Sequence, residues 1–323
     1  MKRRTHTGSL GPDTGVDGKV SFSGHETFVF RYGWMKKAID AVQDNPTLFT
    51  CDDAMVALGV GKNMVRSIRH WALATRILEE EPRTRGNQLK PTELGKLLFG
   101  AGGRDPYLED INTLWLLHWN LVTNEERSTT WCWAFGKLPS DEFTKDYLAG
   151  VIREEIQRRN LKSPSESSLR RDIDCFIHTY TATSAAKRAV LEDSLDCPIV
   201  ELSLIEEDVI PNLFRFKRGA QRTLSGEVFA YALLEFWDRV AAARETLSFT
   251  EVAYGFASPG VAFRVDENSL SERLDSLEQI TNGRLVYAET AGLKQIYRHG
   301  KITPFECLEQ HYRKFEKVFL AGV

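Results

Sequence analysis

The stretch "INTLWLLHWNLV", residues 111–122, shows no continuous polar stripe around a helical projection. A helix with one wet face carries such a stripe, so this one must be covered on nearly every side by the rest of the chain. It is also well short of the roughly 20 residues a membrane-spanning helix needs, and it carries Asn112, His118 and Asn120. It therefore predicts a central core helix. A chain of 323 residues, 42% hydrophobic and 27% charged, is large enough to wrap it and to form two or three domains.

Around this centre the pattern predicts a mainly α (α+β) fold. Residues 1–20 start basic but have no apolar run of the kind a signal peptide needs, and they read as a flexible tail. "TFVFRYGWMKKAIDAV" spaces Phe28, Met35, Ile39 and Val42 as a helix, with Gly33 weakening its middle. Thr50 and Asp53 form a capping signal for a short helix that ends at "LGVG", and a longer helix starts at about Lys62. That second helix separates its faces: Val65, Ile68, Trp71 and Ala72 on one side, Lys62, Asn63, Arg66, Arg69 and His70 on the other. The i, i+4, i+7 spacing of Lys62, Arg66 and Arg69 is what a helix presented to a DNA major groove shows. A turn carrying Arg83 and Arg85 follows, in the order of a winged helix with a basic wing.

The expected organisation is thus a winged-helix DNA-binding domain over 21–105, an aromatic-rich helical core domain over 106–200 and a winged-helix-like domain over 201–323. In the middle region "TTWCWAFGKLP" is expected to end the core helix. "SLRRDIDCFIHTY" turns Leu169, Ile173, Phe176, Ile177 and Tyr180 inward and Arg170, Asp174 and His178 outward. The last region opens with "FRFKRGAQR", where Arg215, Lys217 and Arg218 suggest a further DNA contact. Its "SPG" reads as a turn before a strand, and its second helix is acidic, with Glu272, Asp275 and Glu278. Net charge is −3, so any nucleic-acid surface must be a local patch. The five cysteines never form C-x-x-C, which points to reduced thiols in the cytoplasm instead of a disulfide framework or a structural zinc site.

Together, "FSGHETFVFRYGW", "SESSLRRDIDCFIHTY" and "SPGVAFRVDENSLSERL" resemble a bacterial family numbered four thousand and seven among the domains of unknown function. The resemblance spans nearly the whole chain after the tail. It implies a setting beside a cysteine desulfurase, a reductase-like protein and an ATPase that place sulfur in the DNA backbone and support defence against phage. Its SspB type implies a DNA-nicking component of single-strand phosphorothioation.

Phosphodiester cleavage needs an activated nucleophile, charge relief and an acid for the leaving group, often with Mg²⁺ or Mn²⁺ on carboxylates. No complete nuclease motif is present; His299-x-Lys301 with Glu306 is a chance near miss. Two readings of His25-Glu26 stay open. Ser23-Gly24-His25-Glu26 fits a capping box, S-x-x-E. Alternatively, His25 is acid or base, Glu26 a metal ligand and Arg31 a phosphate clamp. Asp174 and His178, one turn apart, form a second candidate pair able to share a metal or a water, with Asp174 as ligand. The two function classes are a DNA nickase and a non-enzymatic DNA-binding adaptor or transcriptional regulator that recruits sulfur-transfer proteins.

Overall fold

The helix Ile111–Thr123 (α5) buries every residue from Asn112 to Thr123, as its composition requires. In this computed structural model, residues 19–182, 197–290 and 292–321 are described, so the expected tail lies almost wholly outside them. The elements packed on α5 include α6 (Thr129–Lys137), a 3-10 turn (Pro198–Leu202), α9 (Gly226–Ala241) and α11 (Pro259–Ala262). The fold is mixed α+β, about 52% helical, with small antiparallel sheets. Its buried apolar side chains form one continuous cluster from Phe30 to Tyr312. Among the described residues no helix is long and apolar enough to cross a membrane.

The N-terminal third runs α1 (Trp34–Asp44), α2 (Ala54–Leu58), α3 (Lys62–Ala74), β1 (Leu78–Glu80), β2 (Leu89–Pro91) and α4 (Glu93–Phe99). α1 starts later than its apolar spacing predicts, because Gly33 adopts a left-handed φ of 76° at its N-cap. The Thr50 signal is not used: its hydroxyl donates to the Thr47 carbonyl, and Asp53 caps α2 without a side-chain bond. Left-handed Gly59 closes α2, and α3 then buries Val65, Ile68, Trp71 and Ala72. β1 and β2 form an antiparallel hairpin with Leu78 opposite Pro91.

In the middle, "TTWCWAFGKLP" is a helix of its own, α6. It is followed by β3 (Glu142–Thr144), α7 (Lys145–Arg158), α8 (Glu166–Tyr180), β4 (Ile205–Glu207) and β5 (Leu213–Phe216). The basic run "FRFKRG" supplies β5, the central strand of a β3-β5-β4 sheet. On α8, Leu169, Ile173, Phe176, Ile177 and Tyr180 all face the core.

The last third holds α9, β6 (Thr246–Ser248), α10 (Phe249–Tyr254), α11, α12 (Glu267–Asp275), α13 (Leu277–Ile280), β7 (Leu285–Thr290), β8 (Leu293–Arg298) and α14 (Pro304–Ala321). β6, β8 and β7 pair antiparallel in that order. "SPG" starts the short helix α11 instead of a turn into a strand, since Ser258 caps Val261 N–H and Pro259 sits in the first turn. Just beyond it, buried Arg264 reaches back to α6. Its guanidinium donates to the Phe135 carbonyl at 3.0 Å, lies 3.8 Å from the Phe216 ring and meets Asp141 at 3.3 Å. Arg218 shares the same Asp141.

His118, on α5, is held at both nitrogens. Nε2 lies 2.8 Å from the Ala262 carbonyl, which can only accept, so Nε2 carries the hydrogen and Nδ1 accepts the Tyr180 hydroxyl at 2.8 Å. Burial pushes the His118 pKa down to about 3. An unfolded histidine titrates near 6.5, so below that pH the unfolded chain binds a proton the fold refuses. The stability is complete above pH 6.5 and is lost as pH falls toward 3. We expect His118 to add up to about 1.4 kcal/mol per pH unit to the slope of stability in that window. Urea unfolding of wild type and His118→Gln at pH 7, 6 and 5 measures it. A slope unchanged by the substitution would mean that His118 accepts its proton within the fold.

Candidate functional site

Residues Ser23 to Thr27 form a turn, with left-handed φ at Ser23 (70°), Glu26 (49°) and Thr27 (69°). The capping box is therefore overturned. In such a box Glu26 would take the Ser23 amide; here Asp172 of α8 takes it, with the Ser23 N–H donating to Oδ1 at 2.6 Å. The Ser23 hydroxyl donates to the Ser168 carbonyl instead of capping a helix.

His25 points inward and is fully buried. Its Nδ1 accepts the Thr27 N–H at 3.0 Å, which leaves Nε2 to donate to Asp172 Oδ1 at 2.8 Å. The second Asp172 oxygen accepts the Thr130 hydroxyl. One carboxylate thus gathers three donors from the turn and from α6. His70, expected on the outward face of α3, turns inward instead, and its ring closes around His25 with those of Trp71 and Trp131, the centroids 5.8, 6.3 and 5.9 Å away. Gly24 is obligatory, because a Cβ there would stand 2.4 Å from His70 Nδ1. Burial first, then the neighbouring His25, pushes the His70 pKa down to about 3, so the His70 ring is neutral.

Glu26, next in sequence, points the other way and meets Arg66 of α3 at 3.4 Å. Asp174 is half-buried and pairs with Lys145 at 2.5 Å, while Arg170 and His178 lie exposed on the outer face of α8. The structure does not bring His25, Glu26, Asp174 and His178 into one site. Two residues along a helix point to nearly opposite sides, so Asp172 reaches His25 and Asp174 does not. Among the described residues no group of three or more His, Cys, Asp or Glu side chains could hold a metal ion, so Glu26 and Asp174 are not part of such a set. Arg31 lies over Phe28 and Trp34, with ring centroids 5.9 and 5.8 Å away.

On α3, Lys62, Asn63 and Arg66 are exposed. Arg69 is half-buried and spans from the helix to the hairpin, donating to Glu80 at 3.1 Å and to the Gly86 carbonyl at 3.0 Å. Arg127 also reaches Glu80, at 2.9 Å. Burial alone would raise the Glu80 pKa; Arg127 and Arg69 outweigh it and hold the carboxyl below its ordinary range. The hairpin loop is thereby fixed beside the α3 face, with Arg83 and Arg85 exposed on it. The second basic run differs: Arg215 pairs with Glu142 at 2.6 Å, Lys217 with Glu206 at 2.9 Å and Arg218 with Asp141 at 3.3 Å. Carboxylates from β3, β4 and the preceding loop offset the positive patch that the sequence predicts there.

Replacing Asp172 by Ala strips three donors of their acceptor, the His25 ring and the Thr130 hydroxyl among them buried, at about 1–3 kcal/mol for each buried group left unsatisfied. We expect Asp172→Ala to cost at least about 3 kcal/mol by urea unfolding, while Asp174→Ala, in a half-exposed pair, costs no more than about 1 kcal/mol. Equal costs would mean that Asp172 is not the anchor of the turn.

Residues 22–312 match the family described as "Protein of unknown function (DUF4007)". Two solved structures are similar along most of their length. A magnesium ion-bound SspB crystal structure is 31% identical with a TM-score of 0.82, covering 91% of this chain and 88% of that one. A second SspB crystal structure is 32% identical with the same score and coverage. No curated protein matches the chain. The turn, α3 and α8 all lie within the matched span, and the chain belongs to the DUF4007 family of proteins of unknown function.

Proposed function

We propose that this chain is the DNA-binding and DNA-nicking component of a single-strand DNA phosphorothioation system that defends against phage in the cytoplasm. Its partners there are the sulfur-transfer proteins: a cysteine desulfurase, a reductase-like protein and an ATPase. The observation that carries the DNA-binding reading is the exposed row of Lys62, Asn63 and Arg66 on α3, with the Arg83–Arg85 loop pinned beside it by Arg69. In this reading α1 to α3 and the β1–β2 hairpin are a winged helix-turn-helix. α3 enters the major groove, and Arg83 and Arg85 contact the backbone. The strand order β6-β8-β7 with α10 to α12 between β6 and β7 supports a second winged-helix-like unit in the last third. Its acidic helix suits a protein partner better than phosphate.

The likeness to a magnesium-bound SspB supports Mg²⁺ as the ion of a nicking reaction. Glu26 and Asp174 do not fit as its donor set, because each faces a cation, Arg66 and Lys145 respectively. A catalytic role for His25 requires the 23–27 turn to open, since both of its ring nitrogens are engaged and the ring is buried. That burial favours the second reading, a DNA-binding adaptor that recruits the sulfur-transfer proteins without cutting.

Two measurements test these readings. Charge reversal at Lys62 and Arg66 is expected to weaken duplex binding for all sequences and to flatten its salt dependence by about 0.9 units of log–log slope per lost contact. Unchanged affinity would mean that α3 does not face DNA. Supercoiled plasmid incubated with Mg²⁺ or with chelator reads out nicking, and metal-dependent open circles are expected. They should disappear in a folded His25→Ala, Glu26→Gln variant that still binds DNA. Binding by the wild-type chain with no nicking selects the adaptor.

A further inference from the structure

A groove of about 480 Å³ opens where the chain approaches the His25 turn. Its walls include Lys19, Phe22, Lys162, Ser163, Pro164 and Ser168, and among the described residues no acidic side chain lines it. Neither lysine has an acidic partner among the described residues, in contrast to the paired cations of the β3-β5-β4 sheet. Phe22 is half-buried and packs edge-on against Trp133, with ring centroids 6.5 Å apart, so its position is fixed by the core. The groove is continuous with the turn: Phe22 precedes Ser23, whose hydroxyl donates to the carbonyl of Ser168.

We propose that this groove seats one nucleotide of single-stranded DNA, with the base against Phe22 and flanking phosphates on Lys19 and Lys162. The inference rests on the DNA-binding reading above and adds the class of substrate. Two cations with no competing carboxylate among the described residues suit a phosphate chain. A fixed aromatic beside them suits a base, which offers its face only when it is out of a duplex. A strand held here passes directly beside Ser23 and the His25 turn, whereas duplex DNA meets α3.

The test compares a fluorescein-labelled oligothymidylate with a duplex of equal length, by anisotropy, on the full chain. Lys19→Gln with Lys162→Gln is expected to weaken single-strand binding about tenfold and to lower its salt slope by about 0.7 units per lysine, with duplex affinity unchanged. Phe22→Leu, verified by its melting temperature, should weaken single-strand binding by about tenfold with no change in salt slope. Lys62→Gln with Arg66→Gln should do the reverse, weakening the duplex only. If the lysine pair leaves oligothymidylate affinity unchanged while wild type binds both DNAs, the groove assignment fails and the α3 reading stands. If free thymidine monophosphate competes as well as the oligonucleotide, the groove holds a nucleotide and not a strand, which overturns the assignment. Failure of wild type to bind either DNA overturns both readings.

Discussion

One buried carboxylate, Asp172, ties the N-terminal segment to the helical core. A carboxylate removed from water is costly unless its oxygens are occupied, and Asp172 satisfies that demand with the Ser23 amide, the His25 ring and the Thr130 hydroxyl. In return it offsets a turn with three non-glycine residues in left-handed backbone, each unfavourable by roughly 1–2 kcal/mol. The consequences run outward through the chain. The turn delivers the Phe28 carbonyl to the indole N–H of Trp71 at 2.9 Å, and Trp71 is the buried anchor of α3. The direction in which Lys62 and Arg66 face solvent therefore depends on a bond made by a helix about a hundred residues downstream.

The sequence was legible where a property repeats along one element. The all-round apolar α5, the two faces of α3 and the inward stripe of α8 follow from helical periodicity, and the structure buries those residues. It was not legible where two distant segments meet. Ser23 and Glu26 satisfy a local capping rule, yet the acceptor that wins the Ser23 amide lies 149 positions away. A signal for it was present: Asp172 falls within the same inward stripe as Leu169, Ile173 and Phe176, and a carboxylate in a core-facing row requires buried donors.

Charge shows the same division between local and distant information. "FRFKRG" reads as a basic patch, but as the central strand β5 it lies between β3 and β4, whose carboxylates meet its cations. On the α3 row Arg66 meets Glu26 at 3.4 Å, the tip of the neighbouring hairpin is itself basic, and the half-buried Arg69 is spent on holding that tip in place. Identical residue types thus serve as fastener in one position and as open surface in another. Only the spatial neighbours separate the two.

Arg264 places a cation inside the protein, where burial lowers its pKa to about 9 and so still leaves it charged at neutral pH. Its counter-charge, Asp141, sits at the surface with 38% of its side chain exposed and is shared with Arg218. Dissolved ions can compete for the outer half of this arrangement but cannot hydrate the inner half. The seam between α6 and the C-terminal third is therefore electrically open to the medium, and ionic strength acts on this part of the interior without any solvent entering it.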